Sequence, residues 1–333
     1  MYARHSSTFL KNRAKRNCCI CVLSVLKSNR KFKTGGNNAV MYLDEFCLAS
    51  GDAEDSFRLS FPAKLEMNCY SKNIYPFGIF PAKRFSRIGF SPVTIFCGGN
   101  GSGKSTLLNI IAEKLSLDRS APFNNTPFFE DYLALCDYRF AFGKRAPSGS
   151  RIITSDDVFD FLLDIRAVNE GIDLKRDALF DEYDKARYKD TEYTLKSLDD
   201  YEEFRRHNEA KRRTKSEYTT RRLPKALAGK SNGESAFSYF TGEIKENALY
   251  LLDEPENSLS AKLQAELSGF LSDSVRFYGC QFVISTHSPF ILSMKDAKIY
   301  DLDEDPVCEK HWTEIENVLQ YRKLFEERKE EFR

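Results

Sequence analysis

The chain has 333 residues, 41% of them hydrophobic and 30% charged, with a net charge of +1. That length suits one large or two modest domains with a real core. No run of about 18 apolar residues marks a membrane span, and the near-neutral balance argues against a general polyanion binder. Nine scattered cysteines do not read as a disulfide framework. Cys18, Cys19 and Cys21 lack the second half of a zinc site, and this usage suits a reducing cytoplasm.

Residues 1–40 carry nine Lys/Arg and no acid; the first is Asp44. One reading is a targeting segment, with basic Lys11–Arg16 ahead of the short apolar run Cys18–Leu26. The favoured reading is a basic tail, disordered or upstream of a true start at Met41. From Met41 to Phe96, short segments are broken by Gly and Pro. Phe57–Phe61 and Val93–Cys97 read as strands, and Arg84–Phe90 as another. Leu107, Leu108, Ile111 and Leu115 then recur at helical spacing. Ser116–Gly149, rich in Phe, Pro and Asn, reads as loop. No proline occurs between Pro147 and Pro224, and no glycine between Gly171 and Gly229. That interval predicts a charged helical lobe of two or more helices, acid-rich in its first half and basic in its second. Beyond Gly229, Ala248–Leu252 and Gln281–Ser285 are apolar runs of buried-strand type. Between them Leu259, Leu263, Leu267 and Leu271 step by four, which predicts a helix over Ser258–Leu271. Strand, helix, strand in that order implies a parallel sheet.

Three motifs carry chemistry. Gly98-Gly99-Asn100-Gly101-Ser102-Gly103-Lys104-Ser105 matches G-x-x-x-x-G-K-[ST], between an expected strand and an expected helix. Glycines let the backbone curl so that successive N–H groups face phosphate oxygens, and the helix start adds its positive dipole end. Lys104 would reach the β- and γ-phosphates, and Ser105 would ligate Mg²⁺. Gly98, Asn100, Gly101, Ser102, Gly103, Lys104, Ser105 and Thr106 are the candidate ATP grip. Second, the strand Ala248–Leu252 delivers Asp253 and Glu254 at its carboxyl end. Side chains alternate along a strand, so the two need not share a task. Asp253 is placed to hold Mg²⁺ through water and Glu254 to act as general base on water. Third, Gln281–Ser285 leads to His287, which can donate a hydrogen bond to the γ-phosphate and sense its loss.

Together these motifs resemble the ATP-binding-cassette class of P-loop ATPases. Ser231-Asn232-Gly233-Glu234-Ser235 then occupies the place of the signature, with Asn232 where that class has a glycine. The resemblance implies that Ser231 and the Gly233 amide close on the γ-phosphate held by a second subunit. Ser258-Leu259-Ser260 matches the loop that couples the two sites, with Ser260 in place of the usual Asp. Ser155-Asp156-Asp157 stands where the glutamine loop is expected, without its glutamine. Over about Met41–Arg333 the chain is similar to stand-alone bacterial ATPases of AAA/ABC-like, SMC-related type. The motifs of Ser231–Pro289 carry that likeness, with His311-Trp312-Thr313 and Phe325–Phe332 beside them.

The implied fold is an α/β P-loop NTPase head of ABC-ATPase type. It has a mostly parallel sheet, an N-terminal antiparallel strand region and an inserted helical lobe. Its parts are a tail (1–40) and an ATPase domain (41–333). The latter comprises 41–149 with the P-loop, 150–228 as the lobe, and 229–333 with signature, Walker B strand and His switch. The implied function is a cytoplasmic ATPase that forms a homodimer around two ATP and acts on DNA or a separate effector protein. DNA repair and phage defence are both compatible settings. One alternative is an ATP-gated nucleic-acid switch, with Arg205–Arg222 and nearby Tyr201, Phe204 and Tyr218 as the surface. Another is the ATPase subunit of a transporter.

Overall fold

The computed structural model describes residues 39–59, 74–188, 201–223 and 231–332. The tail to residue 38, with Cys18, Cys19 and Cys21, lies outside these. In chain order the main elements are β1 (Leu43–Cys47), α1 (Gly51–Leu59), β2 (Arg87–Gly89), β3 (Val93–Cys97), α2 (Lys104–Lys114), α3 (Phe129–Ala134), β4 (Asp137–Phe140), β5 (Arg151–Ile153) and α4 (Ser155–Tyr188). There follow α5 (Tyr201–Arg212), α6 (Lys215–Thr220), α7 (Asn232–Glu243), β6 (Leu249–Asp253), α8 (Ala261–Tyr278), β7 (Gln281–Ser285), α9 (Pro289–Leu292), β8 (Lys298–Asp301), β9 (Cys308–Glu309) and α10 (Glu316–Glu327). Two compact units result: one runs to Asp157 and resumes at Ala236, the other is Val158–Ser235.

In the first unit every residue of β3, β6 and β7 is buried, which is why these segments read as continuous apolar runs rather than alternating ones. They form a six-stranded sheet in the order β5-β6-β7-β3-β8-β9. All pairings are parallel except the last, β8 with β9. Helix α2 buries Leu107, Leu108, Ile110 and Ile111 in the core that contains Phe96, Leu249, Leu251 and Val283. Helix α8 runs further than the leucine spacing indicates. The Ser260 side chain accepts from the Leu263 N–H at its start, and left-handed Gly279 (φ 64°) ends it. A Cβ at Gly279 would sit 2.7 Å from Asn247 Oδ1, so any side chain there must displace Asn247 and strain the left-handed backbone.

A second, antiparallel sheet has the order β2-β1-β4. Gln281, at the start of β7, ties it to the parallel sheet. This fully buried amide accepts from the N–H groups of Tyr42 and Leu43 at 2.8 and 2.9 Å, and donates to the carbonyls of Leu43 and Ser91 at 2.8 and 3.2 Å.

Two expectations fail here. Phe57–Leu59 belongs to helix α1, not to a strand; Ser60 and Phe61 lie outside the described residues. Ser50 Oγ accepts from the Ala53 N–H at 3.3 Å, Asp52 and Glu54 fill the first turn and Arg58 the last, an arrangement that suits the helix dipole. Phe57 stacks on Phe77 with ring centroids 4.8 Å apart. The segment Ser116–Gly149 is not all loop: it holds α3 and β4. Phe129 and Tyr132 are buried three positions apart, a helical step. Strand β4 forms because β1 offers it a free edge, a long-range partner that local composition does not reveal.

The second unit is helical. Tyr183, Ala210 and Tyr218 form its small buried cluster, the two tyrosines meeting edge to face at 5.4 Å. A capping box at Thr214 with Glu217 starts α6. Acids of α4 and α5 meet the bases that follow them. Glu182 lies 3.0 Å from Arg222 and 3.9 Å from Arg206, Asp184 2.5 Å from Lys215, and Glu209 2.6 and 2.8 Å from Arg213 and Arg222.

Candidate functional site

Parallel pairing puts the carboxyl ends of β3, β7 and β6 on one edge of the sheet, with β7 between the other two. The loop after β3 turns tightly through left-handed Gly101 (φ 82°) and Gly103 (φ 99°) into α2. At Gly98 (φ 149°) a Cβ would stand 2.7 Å from Ser102 Oγ and 3.1 Å from Asp303 Oδ1, so the loop closes only around glycine. Asp303, after β8, holds the loop's outer side by accepting from the Gly99 N–H at 2.7 Å.

Lys104 is buried. Its Nζ donates to the carbonyls of Gly98 and Gly99 at 2.8 and 3.0 Å and lies 3.8 Å from Glu254 Oε1. Ser105 Oγ donates to Asp253 Oδ1 at 3.1 Å. Thr106 faces another neighbour, accepting from the Tyr75 hydroxyl at 3.0 Å. Ser102 Oγ is buried with no hydrogen-bond partner among the described residues, an unspent donor inside the loop.

Asp253 ends β6 and is buried, and Ser285 Oγ donates to the same oxygen that Ser105 reaches. Burial pushes its carboxyl above the usual carboxylate range. Bonds from Ser285 and Ser105 oppose that rise, the Glu254 charge adds to it, and Lys104 opposes it. Glu254 follows in a left-handed conformation (φ 48°) that a β-strand end does not favour. Its N–H is held by the Ser285 carbonyl at 3.0 Å, and its Oε2 accepts from Asn257 Nδ2 at 3.1 Å. His287 joins the group through Glu256, which accepts from its backbone N–H at 2.9 Å and from Thr286 Oγ1 at 2.6 Å.

The structure thus brings Lys104, Ser105, Asp253 and Glu254 into mutual contact. Ser231 and Gly233 lie in the other unit. There Ser231 Oγ accepts from the Glu234 N–H at 3.3 Å and Glu234 Oε2 accepts from the Ser231 N–H at 2.9 Å, a capping box at the start of α7. Asn232 Oδ1 accepts from Arg166 at 3.2 Å. Asp157, within the stretch aligned with the glutamine loop, is buried and accepts from the Ala121 and Thr154 N–H groups at 2.9 and 2.7 Å. Sequence reading passed over Ser285, Glu256, Asn257 and Asp303. The first three sit inside the motifs already singled out, whereas Asp303 has no local signal at all.

A Gly-rich loop and Lys-Ser helix start after one parallel strand, with a carboxylate pair after another, make the nucleotide-binding arrangement of a P-loop fold, similar to that of AAA/ABC-like heads. Residues 157–293 match the family model described as "AAA domain, putative AbiEii toxin, Type IV TA system". No curated protein matches the chain significantly. Among solved structures, the SMC head domain from Thermotoga maritima is 13% identical, covering 81% of this chain and 99% of that one, with a TM-score of 0.36. The Smc head with an extended coiled coil from Pyrococcus furiosus, bound to the C-terminal domain of ScpA, is 16% identical. It covers 71% of this chain and 95% of that one, with a TM-score of 0.35. A dimeric ATP-binding cassette bound to ADP and Pi is 17% identical, covering 68% and 90%, with a TM-score of 0.33.

Proposed function

We propose that the chain hydrolyses ATP to ADP and phosphate, and does so as a cytoplasmic head-to-tail homodimer around two ATP. One observation carries the reading: Lys104 and Ser105 meet Glu254 and Asp253 at 3.8 and 3.1 Å on the carboxyl edge of one sheet. The backbone amides from Asn100 to Thr106 and the start of α2 cradle the phosphates, and Lys104 neutralises the β- and γ-oxygens. Ser102 Oγ, unpartnered among the described residues, can meet an oxygen-rich ligand without first breaking a bond. The hydroxyl of Ser105 and the carboxylate of Asp253 are hard oxygen donors that fit Mg²⁺, which when bound would neutralise phosphate charge during transfer. Glu254 takes a proton from the attacking water as its oxygen bonds to the γ-phosphorus and the bond to the ADP oxygen breaks. His287 contacts the γ-phosphate through its imidazole, and Ser231 with the Gly233 amide completes the partner's site.

The work done by closure is directed at a separate effector protein in a defence setting. The matched family's description, which names a toxin of a toxin–antitoxin system, supports this choice over DNA repair. Charge pairing in the helical unit supports it too. Arg206, Arg213, Lys215 and Arg222 of the expected nucleic-acid surface are engaged by acids, and paired cations release fewer counterions from DNA. Tyr218 is buried, and the side chains of Tyr201 and Phe204 lie outside the described set. No helix among the described residues is long and apolar enough to cross a membrane. The deciding experiment compares ATPase activity of the wild type and Lys104→Ala, and gel filtration of Glu254→Gln with ATP and Mg²⁺. Lys104-dependent turnover and an ATP-dependent dimer are expected. A Glu254→Gln protein that stays monomeric would remove the sandwich.

A further inference from the structure

The Glu256 carboxylate has no part in the chemistry so far, yet its side chain is only 5% exposed. Its Oε1 bonds Thr286 Oγ1 and the His287 N–H, as above, and also lies 3.3 Å from His287 Nδ1. Its Oε2 is buried without a hydrogen-bond partner among the described residues. Burying a carboxylate with one oxygen unsatisfied is costly. A glutamine could accept the same two bonds from Thr286 and the His287 backbone without burying a charge. The ring nitrogen is the neighbour that gains from the charge. The His287 backbone is already pinned on both sides, because its carbonyl accepts from Asn317 Nδ2 at 2.9 Å. The half-exposed imidazole is the freedom that remains.

Resting on the hydrolysis reading above, we infer that Glu256 is a positioning residue for His287, holding the proton on Nδ1 and presenting Nε2 to the nucleotide. An ionised carboxylate only accepts hydrogen bonds, so the nitrogen 3.3 Å from it carries hydrogen once the half-exposed ring turns onto it. In the neutral ring Nε2 is then an acceptor. A donor at Nε2 requires the doubly protonated ring, lying between the Glu256 carboxylate and a phosphate oxygen. Carboxylate support of a working imidazole is a general device for fixing tautomer and orientation.

The test is direct, because the chain has four histidines and a His287→Ala variant assigns the ¹⁵N imidazole signals. In the neutral ring of the wild type the hydrogen should sit on His287 Nδ1, and Glu256→Gln should weaken that preference in favour of Nε2–H. With ATP, Glu256→Gln should lower kcat about 10- to 100-fold while leaving KM within about twofold, the pattern for an interaction made only in the transition state. In a His287→Ala background the same change should cost nothing further, because Glu256 acts through the ring. An Nε2–H tautomer in the wild type, or an equal loss from Glu256→Gln with and without His287, overturns the inference. If no Lys104-dependent ATPase exists, the hydrolysis reading fails, and the wild-type tautomer still decides the role of Glu256.

Discussion

Glu254 stands at a left-handed φ of 48° immediately after a buried strand. An L-residue there costs about 1–2 kcal/mol, because Cβ crowds the following carbonyl. Two truncations separate this strain from the side chain's contacts. Glu254→Ala and Glu254→Gly both remove the 3.8 Å approach to Lys104 and the 3.1 Å bond from Asn257. They differ only in whether Cβ remains. Glycine relieves the strain but gives back roughly 0.5–1 kcal/mol in unfolded-chain freedom. The balance leaves Glu254→Gly more stable than Glu254→Ala by about 0.5–1 kcal/mol, or on the order of 1–3 °C in Tm. At an ordinary position the order is the reverse, with alanine ahead, so the sign alone is diagnostic. Urea unfolding of the two variants without nucleotide reads it. If Glu254 is the general base as proposed, both should lose at least about 100-fold in ATP turnover. Alanine ahead of glycine in stability would refute the claim that strain is stored at this residue.

Three other substitutions probe the same framework. Asp253→Asn should unfold at a higher temperature than the wild type at neutral pH while losing Mg²⁺-dependent turnover. The folded-state pKa of Asp253 is raised by burial, so its favourable contribution is present at low pH and is lost as pH rises through that value. The advantage of asparagine should therefore shrink in thermal scans as the pH is lowered. Gln281→Leu should cost about 2–6 kcal/mol in urea unfolding, since it strands the Tyr42 and Leu43 N–H groups in the core. Gly98→Ala should abolish binding of a fluorescent ATP analogue while the far-UV spectrum holds, because its Cβ would clash with Ser102 inside the loop.

Legibility tracked the range of the interactions. Strands β3, β6 and β7 were readable because a strand covered on both faces announces itself as an apolar run. The P-loop and the Asp253-Glu254 pair were readable because their chemistry needs particular residues at fixed spacing. Helix α1 was misread because Phe57 and Leu59 sit at alternating positions and also on a helix partly turned toward Phe77. Strand β4 was missed because its partner, β1, lies about ninety residues away in sequence. The charge blocks of the lobe were ambiguous for a related reason. A basic run looks like a polyanion site until the acids of α4 are folded onto it. Asp303 shows the limit: 204 residues separate it from the Gly99 amide it accepts from, and an Asp in an acidic turn carries no mark of that distant use.

The contacts at the sheet edge are unevenly distributed, and that bears on how hydrolysis could be coupled to movement. The ends of β6 and β7 are sewn together by the Glu254 N–H on the Ser285 carbonyl, Ser285 on Asp253, and Thr286 with the His287 N–H on Glu256. Further along, Ser288 Oγ donates to Gln264 of α8 at 2.8 Å. Asp253, Glu254 and His287 therefore form one braced body. The P-loop side chains meet that body at two places, 3.1 Å from Ser105 to Asp253 and 3.8 Å from Lys104 to Glu254, and the second is longer than a hydrogen bond. A ligand that bonds Lys104 and Ser105 engages these two links directly, while the braced body has its own internal bonds to preserve. Movement at the site is then cheapest between the P-loop and the braced body, since displacing His287 relative to Glu254 would break several bonds. Loss of the γ-phosphate would be felt as a change in how Lys104 divides itself between Glu254 and the loop carbonyls of Gly98 and Gly99.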